Sequence, residues 1–305
     1  MSQLFFEVLT EELPVQAIIT AKNFIEEFLI QEFMQKNLIH SQIMVEATPR
    51  RIVVMIDNLG KEQQAIVQEV YGPRVEAAYE NNNATKALLG FMASKNINEK
   101  DLYTTKVNNK DVIAAKIILP AKKTKDLLPS LLQDMLAQIP FLKKMRWCES
   151  KDSFARPIRG IIALFDEEYL SVSFADVISG DSTFGHRFLS EGQFKVTSIK
   201  QYLDELKKRF VILSMQERKS MILQEINKKC QSINASLLYD EDLLDIVSNL
   251  CEYPFVILGS FDKKYLELPS QIIISEMKNH QKYFAILDKN NNLMPNFINI
   301  AATKP

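Results

Sequence analysis

Residues 43–59 read IMVEATPRRIVVMIDNL, two runs of branched and aliphatic side chains broken once by Thr48-Pro49. Such runs bounded by a proline turn read as paired strands, with Arg50 and Arg51 at the hairpin turn. Toward the N-terminus, QLFFEVLT (3–10) is a further strand, rich in aromatic and branched residues. Between them, Pro14 sits where a first helical turn tolerates proline. From there Ile18, Ala21, Ile25, Phe28 and Leu29 recur at helical spacing, with Lys22, Glu26 and Glu27 on the other side. The expectation is a β-α-β-β start with its helix on one sheet face.

Downstream, Tyr71-Gly72-Pro73 and the Asn81–Asn83 triplet are turn signals, and residues 84–96 form a short amphipathic helix. DLYTTKVNNKDVIAAKIIL (101–119) reads as a hairpin, because Asn108-Asn109 adopts the positive φ its turn needs. Residues 65–120 are therefore expected as a small inserted α+β subdomain. Residues 124–139 read as helix, with Pro129 suited to its first turn. SFARPIRGIIALFD (153–166) and YLSVSFADV (169–177) are expected to return to the first sheet, completing a discontinuous α+β domain of 1–64 plus 121–185. Residues 198–233 then read as long helix, and 240–252 as another helix opened by acids that favour its N-terminus. Residues 282–301 read as a hairpin turned by an Asn run, so 186–305 form a helix-rich α+β domain. The fold class expected is multidomain α+β, with mixed or antiparallel sheets packed by helices.

Composition narrows the function. A chain of 305 residues exceeds the usual size of a single core. Its net charge of -1 argues against nucleic-acid binding by bulk charge, while leaving room for a local basic face. Cys148, Cys230 and Cys251 are far apart and form no C-x-x-C pair, so free thiols and a cytoplasmic location are expected, with no metal site. The N-terminus lacks the basic region of a signal peptide, and apolar stretches such as GIIALF are too short to span a bilayer, so no membrane partner is expected. The closing Ala-Ala-Thr-Lys-Pro, straight after an apolar strand, reads as a cut within a longer protein.

The chemistry lies in cations at segment ends. Arg50 and Arg51 occupy a turn; Lys143, Lys144 and Arg146 precede Trp147, the only tryptophan. Arg156 and Arg159 flank Pro157, His186 and Arg187 precede Phe188, and Lys278, His280 and Lys282 precede Tyr283. Guanidinium forks match phosphate geometry, and neighbouring aromatics stack on bases. Any one of these sites alone is most simply a solvated charge beside a strand, and their recurrence is what suggests an RNA-facing surface. Glu11-Glu12 reads first as acid at a helix start. A stand-alone hydrolase or deacylase using His186 or His280 as base is the alternative. However, no phosphate-binding, nucleophile-elbow or zinc-protease motif is present, and no catalytic residue is assigned.

Taken in order, FEVLTEELP (6–14), ATPRRI (47–52), YGPRVEAAY (71–79) with ATKALLGF (84–91), KKMRW (143–147), FARPIR (154–159), GHRF (185–188), ERK (217–219), EYPFVILGSF (252–261), EMKNHQKYF (276–284) and LMPNFI (293–298) resemble the N-terminal part of the β-subunit of the bacterial tetrameric glycyl-tRNA synthetase. Leu9 and Cys148 stand where that family commonly has Gly. Phe184 stands where Arg is frequent, which removes one cation from the basic surface. The resemblance implies an α2β2 enzyme whose α-subunit activates glycine with ATP and Mg. The β-subunit then binds tRNA(Gly) and supports assembly, with no cofactor on this chain and no DNA partner. It also implies HD-like and anticodon-binding regions beyond the residues given. A scaffold for the α-subunit that does not bind RNA is the further alternative.

Overall fold

The computed structural model describes residues 2–80 and 83–304. The strand Ser2–Thr10 is the centre of a five-stranded antiparallel sheet, paired on one side with Arg51–Leu59 and on the other with Ile158–Phe165. Ile43–Thr48 and Glu168–Tyr169 form the edges. The β-α-β-β start is therefore as expected, and Ile158–Phe165 returns to it. The following segment returns only at its start, where Tyr169 pairs with Leu164 at the sheet edge. Ser173–Phe174 and Val177–Ile178 form their own two-stranded hairpin, because the chain reverses at Ala175 (φ 55°) to bury Val172 and Phe174 in the core below.

Both faces of the sheet are covered. The helices Val15–Gln35 and Thr124–Gln138 lie on one face, where Ile18, Ile25, Leu29, Leu132 and Met135 close over Leu4, Phe6, Val8, Val54 and Ile56. On the opposite face Phe5, Val53, Met55, Ile162 and Leu164 pack under Tyr202, Leu206, Val211 and Leu213. Two-sided burial explains why the central strand is apolar almost throughout rather than alternating. Pro129 falls just beyond the first turn of its helix, which costs a hydrogen bond without ending the helix.

Residues 66–119 contribute a separate three-stranded sheet in which Lys110–Leu119 is central, with the helix Lys86–Lys95 packed against it. Thr85 caps that helix by accepting from the Leu88 N–H. The hairpin turn has the anticipated positive φ at Asn108 (50°) and Asn109 (60°). Of the Asn81–Asn83 turn signal, Asn81 and Asn82 lie outside the described residues.

The long helical stretch is split. Ile199–Lys208 stops at Phe210 (φ 56°), and a new helix, Met215–Ser232, starts under a Ser214 cap. The buried Arg218 of the second helix donates to the carbonyls of Ile212 and Leu213, which a continuous helix would have satisfied itself. Met215–Ser232 and Glu241–Ser248 then cover one face of a four-stranded antiparallel sheet of order Ser236–Leu237, Phe284–Leu287, Leu293–Ala301, Phe255–Ser260. The architecture is α+β with antiparallel sheets, and no described helix is long and apolar enough to cross a membrane.

Candidate functional site

Alternation along the first sheet decides where its polar residues go. Glu7 and Arg51 share a face with Phe5 and Val53, and that face is the one covered by the helix carrying Tyr202. A charge placed there must be paired, because an isolated buried ion is prohibitively costly. Arg51 is 0% exposed and meets Glu252 Oε1 at 2.8 Å and Glu7 Oε2 at 3.3 Å. It also donates to the carbonyls of Phe184 (3.0 Å) and Gly185 (3.3 Å). Thr48 Oγ1 donates to Glu252 Oε1 (2.7 Å), and the Tyr202 hydroxyl donates to Glu7. Burial alone would depress the Arg51 guanidinium, but Glu252 and Glu7 outweigh it and hold it above its ordinary value. Burial likewise pushes Glu252 upward, and Arg51 with Thr48 more than offsets this. A second buried arginine, Arg218, reaches from its helix to Ala47 O (3.1 Å) and Ser248 O (2.8 Å). Two arginines thus join the first sheet to elements 130 or more residues away.

Arg51, expected as a phosphate contact, is therefore no surface cation; its donors are spent inside. Its neighbour Arg50 is half-buried, its charge disfavoured by burial, and its Nε donates to none of the described residues. Arg50 lines a small cleft of about 70 Å³ with Glu12, His186, Arg187, Phe188, Cys251 and Glu252. Arg187 Nη1 lies 3.2 Å from one oxygen of Glu11, and Arg159 Nε lies 3.6 Å from the other. Phe188, 68% exposed, lies under the Arg187 guanidinium at 5.7 Å. Gly185 makes this corner, since a Cβ there would sit 2.4 Å from the Arg209 Cβ and 2.9 Å from its carbonyl.

His186 is buried, and both ring nitrogens are engaged. Nε2 donates to Ala302 O (3.0 Å), while Nδ1 accepts from the Phe188 and Leu189 N–H groups. Burial holds its pKa below 6.5, in keeping with that neutral tautomer. Cys251, in the same cleft, is pushed up to about 12 by burial and donates to Val247 O, so it offers no thiolate.

The structure brings together Arg50, Arg51, Arg159, His186 and Arg187. It does not bring the rest to them. Lys143, Lys144 and Arg146 are exposed on the segment after Thr124–Gln138, with Lys144 and Arg146 donating only to local carbonyls. Arg156 is half-buried and donates to Ala155 O. Lys278 pairs with Asp240 (2.5 Å), His280 is 69% exposed and 3.9 Å from Glu276, and Lys282 donates to Asn279 O. Among the described residues no ion pair or side-chain hydrogen bond links any of these seven residues to the Glu11 cluster. The sequence reading missed Glu7, Thr48, Tyr202, Arg218 and Glu252; the one signal was a lone Glu inside the apolar run LFFEV.

These features sit in a chain whose relatives are components of an aminoacyl-tRNA synthetase. The family described as glycyl-tRNA synthetase beta subunit matches residues 4–305, and the chain belongs to that family. It is 36% identical to the glycine–tRNA ligase beta subunit of Clostridioides difficile (strain 630) over 97% of this chain and 43% of that protein. It is 34% identical to those of Bacillus subtilis (strain 168), over 97% and 44%, and Aquifex aeolicus (strain VF5), over 100% and 45%. The chain spans less than half the length of these relatives.

Proposed function

We propose that the chain serves glycyl-tRNA synthesis as the tRNA-binding and assembly part of a glycine–tRNA ligase β-subunit. In this reading tRNA(Gly) is held so that its terminal ribose meets glycine activated with ATP and Mg in the α-subunit of an α2β2 enzyme in the cytoplasm. This chain itself performs no chemistry. Residues 1–64 with 121–185 and residues 186–305 carry the work, and 65–120 stand as an appended subdomain. The observation that carries the reading is the convergence of Arg50, Arg159 and Arg187 beside the exposed ring of Phe188. Glu11 holds Arg159 and Arg187 only through exposed pairs, worth about 0–1 kcal/mol each. A phosphate offering charge-assisted bonds displaces such a carboxylate readily. The hydrolase alternative, with His186 or His280 as base, lacks support: both ring nitrogens of His186 are occupied, and His280 stands exposed on the surface beside Glu276 alone among the described residues.

The test is anisotropy of labelled tRNA(Gly) titrated with the full-length subunit, wild type and Arg159→Glu/Arg187→Glu, at several salt concentrations. Each phosphate that the variant no longer neutralises lowers the slope of log K against log salt by about 1. Unchanged affinity and slope in the double variant would remove this cleft from the reading.

A further inference from the structure

We propose that the face of the four-stranded sheet opposite its two covering helices carries a stacking platform for an unpaired RNA nucleotide, centred on the half-buried Tyr283. The proposal rests on the tRNA reading above and extends it to a second site. Strand alternation sends Phe284, Ile286 and Ile298 into the core beneath the helices. Tyr283, Phe297 and Ile257 are left on the opposite face, half-buried. There Tyr283 lies on Phe297 with ring centroids 4.4 Å apart and planes within 8° of parallel. Phe297 in turn fills the space over its cross-strand partner Gly259, where a Cβ would fall 2.3 Å from the Phe297 Cζ. Two rings are thus fixed parallel on a rigid sheet. Among the described residues, Tyr283 has no other ring contact and its hydroxyl has no hydrogen-bond partner.

The backbone leading to Tyr283 is unusual at the same point. Met277–Gln281 is a single π-helical turn, a form frequent at functional sites. Lys282 follows at φ 59°, a conformation uncommon outside glycine, and the Tyr283 N–H closes the turn on Met277 O (2.9 Å). This turn delivers Tyr283 to the face opposite the helices, with Lys282 preceding it directly in the chain. Among the described residues Lys282 has no carboxylate partner, unlike Lys278, so its charge is available to a phosphate. An aromatic face with an adjoining unpaired cation is the arrangement that binds single-stranded RNA, stacking the base and holding the phosphate. The same strand runs on to Ala302, which bonds His186 at the rim of the arginine cleft. Ala302, one residue past the end of the strand, lies five residue steps from Phe297, about 17 Å of extended chain, so the platform and the cleft stand near one strand.

The experiment uses the full-length subunit, a single-stranded RNA octamer carrying one 2-aminopurine, and labelled tRNA(Gly). Wild type is expected to quench the 2-aminopurine. Tyr283→Leu is expected to abolish quenching and weaken octamer binding about 5- to 100-fold with the salt slope unchanged. Tyr283→Phe, which keeps the ring, is expected to behave as wild type. Lys282→Gln is expected to lower the slope by about 0.7, one phosphate on a single strand. Binding of Tyr283→Leu within twofold of wild type, with its melting temperature unchanged, overturns the platform. If Arg159→Glu/Arg187→Glu still loses tRNA, the tRNA reading survives that failure. Wild type that binds neither RNA overturns both. Loss of a protein partner by Tyr283→Leu with RNA binding intact would make the face a protein-docking surface and likewise overturn the proposal.

Discussion

Replacing Arg51 with Met should cost more stability than any surface substitution in this chain. The guanidinium donates to two carboxylates and two carbonyls within 3.3 Å, all inside the protein. Methionine fills part of the volume but supplies no donor. Glu7 keeps only Tyr202 as a donor, and Glu252 keeps only Thr48. Removing one partner of a buried ion pair costs about 3–5 kcal/mol, and each orphaned carbonyl adds to that. The expected loss is thus at least ~4 kcal/mol, a large fraction of the usual ~5–15. Trp147 is a built-in reporter, since it packs against the first-sheet core and its Nε1 donates to Asp176. Urea unfolding followed by its fluorescence should show a midpoint lowered by about 1–2 M. The pH dependence gives a second signature. In the wild type Glu252 titrates below 4.5, so its contribution is present above that value and lost as pH falls through the depressed one. Without Arg51, burial dominates and raises the Glu252 carboxyl, so the variant should gain stability as pH falls from 7 toward 5. Adding Glu252→Gln and Glu7→Gln should recover more than half the loss. A cost below ~1 kcal/mol, or a variant whose pH slope matches wild type, would refute the view that Arg51 neutralises both carboxylates.

Two further outcomes follow from the same corner. His186 has a folded pKa below its unfolded 6.5, so the unfolded state binds its proton first and stability drains away as pH falls through 6.5. His186→Gln should flatten that part of the stability–pH curve, and an unaltered curve would show that another group titrates there. Gly185→Ala must push a methyl against the Arg209 backbone and should destabilise by about 1–3 kcal/mol, read as a lower melting temperature; a neutral result would mean the corner relaxes freely.

What the sequence could convey depended on how local the cause was. Strand runs and the Asn108-Asn109 turn act over a few residues, so their positions are readable as pattern. The break at Phe210 is not local: residues 198–233 have helical spacing throughout, and the segment between the two helices is tied to distant elements by the Ile212 N–H donating to Glu252 O and by Arg218 reaching Ala47 O and Ser248 O. The division of the basic residues is decided by the same long-range logic. Arg50 and Arg51 are adjacent and chemically identical, yet strand alternation turns Arg51 into the covered sheet face, while Arg50 is left at the cleft. Only Tyr202 and Glu252, far along the chain, make position 51 internal. Tyr283-Phe284 divides in the same way, since one ring enters the core and the other lies half-buried on the opposite face. In each pair the residue type signals that a recognition element or a core residue is present, but which neighbour takes which role follows from the side of the sheet the helices cover. That covering is set by contacts more than a hundred residues apart for Arg51, and it is why candidate cations read from sequence must be sorted by burial before any is assigned to RNA.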